Sequence, residues 1–315
     1  MIAAALVVLT AALMFGVLRR LPGASWIYRS PRLGILAWYS VLATVPTAAG
    51  AVTGEFLLPW HGGPDLLCDA GILCAEPGDE RHRPLAWFLA RLLAAAALLA
   101  ITVIAIRATA GAQAVVRRRR RHRDILRITG RRCGTRDVTV IEDPRPAVYL
   151  APGRPRRVVV TSGALHRLDP GELAAVLAHE RAHATGRHQT LLDIVHIAAR
   201  VFPRRLLITT AAAQIERLVE MRADEVAAAT HPPMHLARAI VAMAGGANAV
   251  PGHLPAVTGG DTIERLHRLM RPPRRLPRAG RAAILGAIPL LPVAPLALAA
   301  TCRWWPVLSS CLWDL

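Results

Sequence analysis

The sequence predicts an α-helical membrane protein that carries an inserted α+β domain. Apolar residues make up 53% of the 315 residues and the mean hydropathy is +0.35, values more typical of membrane proteins than of soluble ones. Between the third and fourth apolar stretches, short β-type runs precede amphipathic helical patterns. Each stretch approaches the ~20 residues that cross a bilayer, so about four transmembrane helices are expected. The stretches cover residues 1–18, 33–58, 85–106 and 282–300.

The first and last stretches differ from the other two. The first is interpreted as an uncleaved anchor and not as a signal peptide, because Arg19 and Arg20 follow it and no charged residue precedes it. The last contains Pro289, Pro292 and Pro295. Proline removes a helical hydrogen-bond donor, so we expect this span to be kinked or partly unwound.

Loop charges predict the orientation of the spans. The loop after the first span contains four arginines and no acid, whereas residues 59–84 contain five acids against two arginines. The positive-inside rule places the N-terminus, residues 59–84 and the tail 302–315 outside. We therefore expect a membrane domain with three helices over 1–106, a cytoplasmic domain over 107–281, and a final helix with a short extracytoplasmic tail over 282–315.

Cysteine positions agree with this orientation. Cys68, Cys74, Cys302 and Cys311 fall in segments predicted to lie outside, and Cys133 falls inside. Disulfide bonds require an even number of cysteines in an oxidising compartment, and the four outer cysteines meet this requirement. The sequence does not decide which of them pair. The alternative is that these cysteines are simply small apolar residues.

The basic residues predict a lipid partner. The net charge is +18, and all 39 basic residues are arginine, a bias that indicates a GC-rich coding sequence. The arginine run 117–121 directly follows the third span, which favours contact with anionic lipid in the bilayer. Direct nucleic-acid binding is not expected, because no aromatic residues interleave the run and no base-reading motif follows it.

The segment after the arginine run contains strands and then helices. Glycine and proline separate three β-type runs. Asp169, Pro170 and Glu172 form a capping-box pattern that predicts the start of a helix. A long helical region follows, with a break near Pro203 and an open alternative of a fifth span near 190–213. The predicted strands cover 137–143, 146–153 and 156–165, and the later helices cover 190–230, 231–246 and 261–270.

The motif HERAH predicts a zinc site. His179 and His183 are four residues apart, so both imidazoles leave the same helical face. Glu180 is placed to take a proton from a zinc-bound water, whose pKa zinc lowers to roughly 7. The sequence therefore predicts Zn²⁺ on the two histidines and Glu180 as the general base.

A catalytic zinc needs a third protein ligand. Glu220 and Asp224 share one face of an apolar helix, and buried carboxylates need a partner. We expect Glu220 to bind the metal and Asp224 to accept a hydrogen bond from a ligand histidine. The alternative is a solvated charged face that includes Glu216 and Glu225, with Glu216 as the fallback ligand.

The remaining histidines give weaker indications of function than the HERAH motif does. His188 and His196 lie beyond the motif, and a second metal site is weighed there against ordinary polar or interfacial histidines. His253 lies in a Pro/Gly-rich loop and is an oxyanion-binding candidate that the sequence does not select.

Two stretches carry a family resemblance. "VVVTSGALHRLDPGELAAVLAHERAH" and, about 40 residues on, "EMRADEVA" resemble the integral-membrane gluzincin metallopeptidases. Two branches compete, the β-lactam sensor-transducer or antirepressor family and the heat-shock and prenyl-protein (CAAX) endopeptidase family. The resemblance implies a zincin-type metallopeptidase domain, with zinc on His179, His183 and Glu220 and with Glu180 as base.

The arrangement of spans and the later "ERLHRLM" resemble the transducer branch more. There are two departures. Relatives of that branch often carry Asp where His188 stands, and sensor members carry a large extracellular domain where this sequence has the 14-residue tail 302–315. Antibiotic binding is therefore not carried over, whereas the peptidase activity is.

The predicted function is a zinc-dependent endopeptidase in the plasma membrane of a bacterium with a GC-rich genome, with its site facing the cytoplasm. Its substrate would be a protein or peptide, and the first candidate is a transcriptional repressor in signalling. The alternatives are a heat-shock/CAAX-type quality-control endopeptidase and a non-catalytic membrane scaffold.

Overall fold

The computed structural model describes residues 2–57, 83–132, 137–153, 156–202, 206–244, 259–271 and 275–313. Twelve helices and four strands lie in these residues. The helices are α1 (Ile2–Arg20), α2 (Ser25–Arg29), α3 (Pro31–Leu57), α4 (Arg83–Thr129), α5 (Ser162–Arg167), α6 (Pro170–Thr185), α7 (His188–Val201), α8 (Leu206–Ala228), α9 (Pro233–Ala244), α10 (Gly259–Met270), α11 (Arg278–Ala287) and α12 (Leu290–Trp313). The strands are β1 (Gly130–Arg132), β2 (Val138–Ile141), β3 (Val148–Ala151) and β4 (Arg157–Thr161).

The chain divides into two compact units. The apolar unit comprises Met1–Gly23, Leu36–Arg107 and Pro277–Leu315, and the mixed unit comprises Ala24–Ile35 and Ala108–Leu276. The mixed unit contains the whole sheet. The predicted boundaries at residues 106 and 281, between membrane segments and the cytoplasmic domain, stay a prediction.

Membrane spans are fewer than expected within the described residues. Two helices there are long and apolar enough to cross a bilayer, over Pro31–Thr53 and Leu98–Thr129. The pair α11 and α12 adds a third if the two helices form one span. A count of four transmembrane helices is therefore not confirmed. The expected kink is confirmed, since α11 and α12 are bent by 42° where Pro289 interrupts the hydrogen bonding.

The third predicted span is part of a longer helix. Helix α4 runs for 47 residues, about 70 Å at 1.5 Å per residue, and includes the whole arginine run. Alanine and arginine are strong helix formers and no proline interrupts them, so the helix continues beyond the apolar stretch. Within the mixed unit, Arg119 forms an ion pair with Asp193 of α7.

The sheet has the order β1-β2-β4-β3. Strands β2 and β4 are parallel, whereas β1 with β2 and β3 with β4 are antiparallel. Each of the three predicted β-type runs contains one strand. The end of the third run forms α5 instead, because the Thr161 side chain accepts a hydrogen bond from the Ala164 N–H and so caps a helix there.

The core of the mixed unit lies between the sheet and helices α6 and α9. The capping box at the start of α6 is confirmed: the Asp169 carboxylate accepts from the Glu172 N–H at 2.7 Å, and the Glu172 carboxylate accepts from the Asp169 N–H at 3.1 Å. The helix therefore begins where the sequence predicts. Buried members of this core include Val148, Val158, Val160, Ala175, Val176, Leu236 and Ala239.

The predicted break in the long helical region is also found, since α7 ends at Val201 and α8 begins at Leu206. One face of α8 is fully buried, and it includes Ile215, Leu218 and Val219. Pro203 itself lies outside the described residues.

A segment from between the first two predicted spans belongs to the mixed unit. Ile27 is fully buried, and Gly34 lies so close to α8 that an added Cβ would be 2.9 Å from Leu218 Cδ1. The Tyr28 hydroxyl donates a hydrogen bond to Gln214 at 3.2 Å, and the Arg217 guanidinium lies over the Tyr28 ring. Residues 24–35 thus cover part of α8.

The cysteine predictions fall outside the described side chains. Cys68, Cys74 and Cys133 are not among the described residues, and the side chains of Cys302 and Cys311 are not described either. The expected disulfides stay a prediction. The oxyanion candidate His253 also lies outside the described residues.

Candidate metal centre

Helices α6 and α8 bring three predicted zinc ligands together. His179 Nε2 lies 3.1 Å from His183 Nε2 and 3.5 Å from a Glu220 carboxylate oxygen. The other Glu220 oxygen lies 3.4 Å from His183 Nε2. One donor atom from each residue lies within 4.8 Å of the others, so this group could hold a metal ion.

Each histidine turns its Nδ1 away from this cluster and towards a different buried side chain. His179 Nδ1 lies 3.0 Å from Asp224 Oδ1 but makes no hydrogen bond in this structure, so the hydrogen bond expected of Asp224 stays a prediction. His183 Nδ1 lies 3.1 Å from His188 Nδ1. Both Nε2 atoms therefore face the Glu220 carboxylate, and both Nδ1 atoms face a supporting side chain.

Arg265 of α10 is a site residue that the sequence reasoning missed. Its guanidinium donates two 2.8 Å hydrogen bonds to the Asp224 carboxylate and lies 3.1 Å from Glu220. Asp224 is buried and Glu220 is half-buried, and two such carboxylates require a compensating cation. This requirement was the signal available in the sequence. It could not select one arginine among 39.

Two further ion pairs join α8 to the helix that carries Arg265. Arg217 pairs with Glu264, and Arg268 pairs with Glu225. Arg268 also donates to the Tyr28 carbonyl in the segment 24–35. Helix α10 is thereby held against α8 along its length, which positions Arg265 beside the two carboxylates.

Glu180 lies between the cluster and strand β3. It is half-buried, and the backbone N–H of Leu150 donates a hydrogen bond to its carboxylate. Burial raises the pKa of Glu180 to about 7, with Glu220 adding to the effect and the charge of His179 opposing it. A carboxyl group with such a pKa can exchange a proton near neutral pH.

The histidines titrate differently because their partners differ. Burial would lower the pKa of His179, but the contacts with Asp224 and Glu220 outweigh it and raise the pKa to about 10. Burial lowers the pKa of both His183 and His188 to about 4.

The two carboxylates are held ionised. Burial alone would raise their pKa values, but the Arg265 charge, together with the neighbouring histidines, outweighs it and holds the pKa of both Glu220 and Asp224 below the ordinary range. Negative charge is therefore retained where a cation would bind.

The alternative ligands lie elsewhere. Glu216 contacts His196, and Glu225 contacts Arg268 and Arg222. His188 faces His183 rather than His196. Within the described part of the chain, the group that could hold a metal contains neither Glu216 nor His196.

Comparisons with known proteins agree with this geometry. Residues 116–271 match Peptidase family M48. The chain is 36% identical over 66 residues to "Protease HtpX homolog" of Moorella thermoacetica, a match that covers 20% of this chain and 22% of that relative. The chain thus spans about a fifth of the length of this curated relative. No solved structure matches the chain. The residues that match Peptidase family M48 contain the sheet and helices α5 to α10, and with them all the residues of the candidate metal centre.

Proposed function

We propose that this protein is a membrane-bound, zinc-dependent endopeptidase. His179, His183 and Glu220 would hold the metal, and Glu180 would act as general base. The observation that carries the proposal is the convergence of these three donors on one point, with Glu180 beside them, within residues that match Peptidase family M48.

The donor set fits zinc. Two imidazoles and one carboxylate are a common set in hydrolytic zinc sites, and three protein ligands leave a position open for water or substrate. A bound zinc supplies Lewis-acid polarisation of the scissile carbonyl and of water. Both ligand histidines already present Nε2 to the same carboxylate, so little rearrangement is needed for binding.

Glu180 supplies the proton transfers. Its carboxylate takes a proton from the attacking water and passes it to the amide nitrogen that leaves. Efficient general bases have a pKa near the working pH, and burial brings Glu180 to about 7. The Leu150 N–H holds one end of this carboxyl group on strand β3.

Asp224 and Arg265 orient and balance the site. Asp224 Oδ1, 3.0 Å from Nδ1 of His179, would accept a hydrogen bond from it and would leave Nε2 of that ring for the metal. Arg265 neutralises part of the negative charge of Glu220 and Asp224 when the metal is absent. These contacts allow two carboxylates to lie side by side in a buried place.

Two substrate classes remain for the enzyme. The match to Peptidase family M48 and to an HtpX protease favours the quality-control reading, in which damaged membrane proteins are cleaved. The predicted order of spans, three before the domain and one bent span after it, favours the cleavage of a transcriptional repressor in signalling. In both readings the apolar helices anchor the enzyme in a bacterial plasma membrane and the domain faces the cytoplasm.

The first test measures metal and proteolysis together. The purified chain should hold about one zinc ion and cleave an unfolded protein such as casein. Glu180→Gln should keep the zinc and lose proteolysis, because the ligands remain and the base does not. His179→Ala should lose both. Metal is measured by mass spectrometry and cleavage by the appearance of new N-termini.

The controls separate the enzyme from the scaffold alternative. Glu216→Gln alters the fallback ligand and should retain zinc and activity. Zinc-free wild-type protein, or full proteolysis by Glu180→Gln, would contradict the proposed site. A chain that binds zinc but cleaves nothing would support the scaffold alternative.

A second test addresses the substrate class. Cells that express the wild-type chain are compared with cells that express Glu180→Gln, and new N-termini are labelled in both. Products that derive mainly from integral membrane proteins would support quality control. A single dominant product from a DNA-binding protein would support the signalling reading.

A further inference from the structure

His188 is buried against the outer side of a proposed zinc ligand. It is the first residue of α7 and is only 4% exposed. Its Nδ1 lies 3.1 Å from Nδ1 of His183, and the two rings meet edge to face with centroids 4.9 Å apart. The contact is therefore directional, nitrogen to nitrogen, and not a general apolar packing.

The backbone before His188 is shaped to admit this ring. A Cβ on Gly186 would lie 2.3 Å from Nε2 of His188, so only glycine leaves room for the imidazole. The next residue, Arg187, has φ 51°, a left-handed conformation that a non-glycine residue adopts at a cost. The tight turn between α6 and α7 thus turns the chain back so that His188 reaches His183.

The chemistry of an imidazole ligand gives this contact a role. A neutral histidine that binds a metal through Nε2 carries its proton on Nδ1, and this N–H needs an acceptor. Asp224 occupies that place for His179. For His183 the atom in that place is Nδ1 of His188. The two proposed ligands are therefore supported by different chemistry, one by a carboxylate and one by an imidazole.

We propose that His188 is a positioning residue for His183: its Nδ1 accepts a hydrogen bond from the Nδ1–H of His183 and fixes the tautomer that leaves Nε2 for the metal. This inference rests on the proposed zinc site. His188 does not bind the metal itself, because its facing nitrogen lies on the side of His183 opposite to the cluster and His188 is not in the metal-holding group.

The alternative hypothesis is that His188 only fills space at the turn between α6 and α7. Two variants distinguish this hypothesis from a positioning role. His188→Phe keeps an aromatic ring but removes the acceptor nitrogen. His188→Asn keeps a hydrogen-bond acceptor but removes the ring. A positioning role predicts that the phenylalanine variant weakens zinc binding by about 10–100-fold and that the asparagine variant restores most of the affinity. A filling role predicts the reverse order.

The experiment measures the zinc dissociation constant of the full chain in detergent by competition with a coloured chelator. The visible spectrum of the Co²⁺-loaded protein is a second readout, since it reports ligand geometry without activity. Gly186→Ala is an independent variant that keeps His188 but displaces its ring, and it should weaken zinc binding as His188→Phe does. It also serves as the test if His188→Phe does not fold.

The matched control is His196→Phe, which removes a histidine eight residues further along α7 that contacts Glu216. It should leave the zinc dissociation constant unchanged. Wild-type affinity in both His188→Phe and Gly186→Ala, or equal losses in His188→Phe and His188→Asn, would overturn the inference while leaving the zinc site intact. A wild-type chain that binds no zinc would instead overturn the proposed function.

Discussion

Asp224 touches two charged groups at once and is only 3% exposed in its side chain. One oxygen lies beside Nδ1 of His179, and both oxygens accept from Arg265. We expect an aspartate in such a place to support metal binding through the histidine and stability through the arginine. A solvated aspartate would contribute to neither.

Replacement of Asp224 by asparagine should therefore weaken zinc binding. An amide is a weaker acceptor for the His179 N–H, and losses of this kind typically cost about 10–100-fold in metal affinity. The zinc dissociation constant of Asp224→Asn, measured on the purified chain, checks this expectation.

A suitable control for this variant is Asp137→Asn. Asp137 pairs with Arg181 on the outer side of the histidine-bearing helix, and its side chain is 42% exposed. Glu225 would be a poor control, since it forms an ion pair with Arg268. If Asp224→Asn and Asp137→Asn both bound zinc like the wild type, Asp224 would have no part in the site.

The residues of the site differ in how well the sequence predicts them. His179 and His183 follow from helical spacing alone, and Glu220 and Asp224 follow from carboxylates on an apolar face. The sequence does not predict Arg265 or the role of His188, because each depends on which helices pack against one another. The closed turn at Gly186 and the docking of α10 are tertiary features, and no periodic pattern in one segment encodes them.

At the level of the elements, helix α6 carries both histidines and Glu180, so its first turn matters to the whole site. The Asp169 side chain satisfies the Glu172 N–H, which otherwise has no partner within the helix. Gly171, in the same turn, lies against α9, where an added Cβ would be 2.6 Å from the His235 ring. The start of α6 is thus fixed by a cap and by close packing.

Removal of the cap should destabilise the mixed unit. Asp169→Ala is expected to lower the free energy of unfolding by about 1 kcal/mol, the usual cost of losing such a cap. The measurement is the denaturant midpoint of the detergent-solubilised chain. Asp124→Ala, which alters an exposed ion pair with Arg127, should change it far less. Equal effects of the two variants would show that the cap contributes nothing.

The elements that the sequence predicts well are those with a local signal. Helix α6 has a capping box and a helical apolar face, and strands β2, β3 and β4 lie in β-type runs between turn residues. The sequence predicts the start of helix α5 as the end of a strand, because its first four residues, SGAL, continue such a run. Strand β1 has the sequence GRR and no β-type pattern, so only its pairing with β2 defines it.

For the molecule as a whole, the orientation in the membrane stays a prediction that chemical labelling can test. In single-cysteine variants, Cys68, Cys74, Cys302 and Cys311 should react with a membrane-impermeant thiol reagent from outside, after reduction. Cys133 should react only from the cytoplasmic side. The reason is the arginine excess of the inner loops. Labelling of Cys302 from the cytoplasm would show that the final span does not cross as expected.

The number of spans is less predictable than the site because apolar length alone does not decide insertion. The bend between α11 and α12 and the length of α4 both depend on individual residues. A mean hydropathy over a window does not register these residues. Proline at a helix break and alanine-rich continuation are visible in the sequence. The prolines predict the bend, whereas the residue at which α4 ends is seen only in the structure.

The segment 24–35 has a consequence for producing a water-soluble enzyme from this chain. A truncated protein over 108–276 contains HERAH and all the proposed ligands, yet it lacks the cover over Leu218 that Ile27 and Gly34 provide. We expect that truncated protein to aggregate on expression, because its uncovered helix face is apolar. Joining residues 24–35 to its N-terminus through a flexible linker should yield a monomer by size-exclusion chromatography. A monodisperse truncated protein without the segment would show that this cover is dispensable.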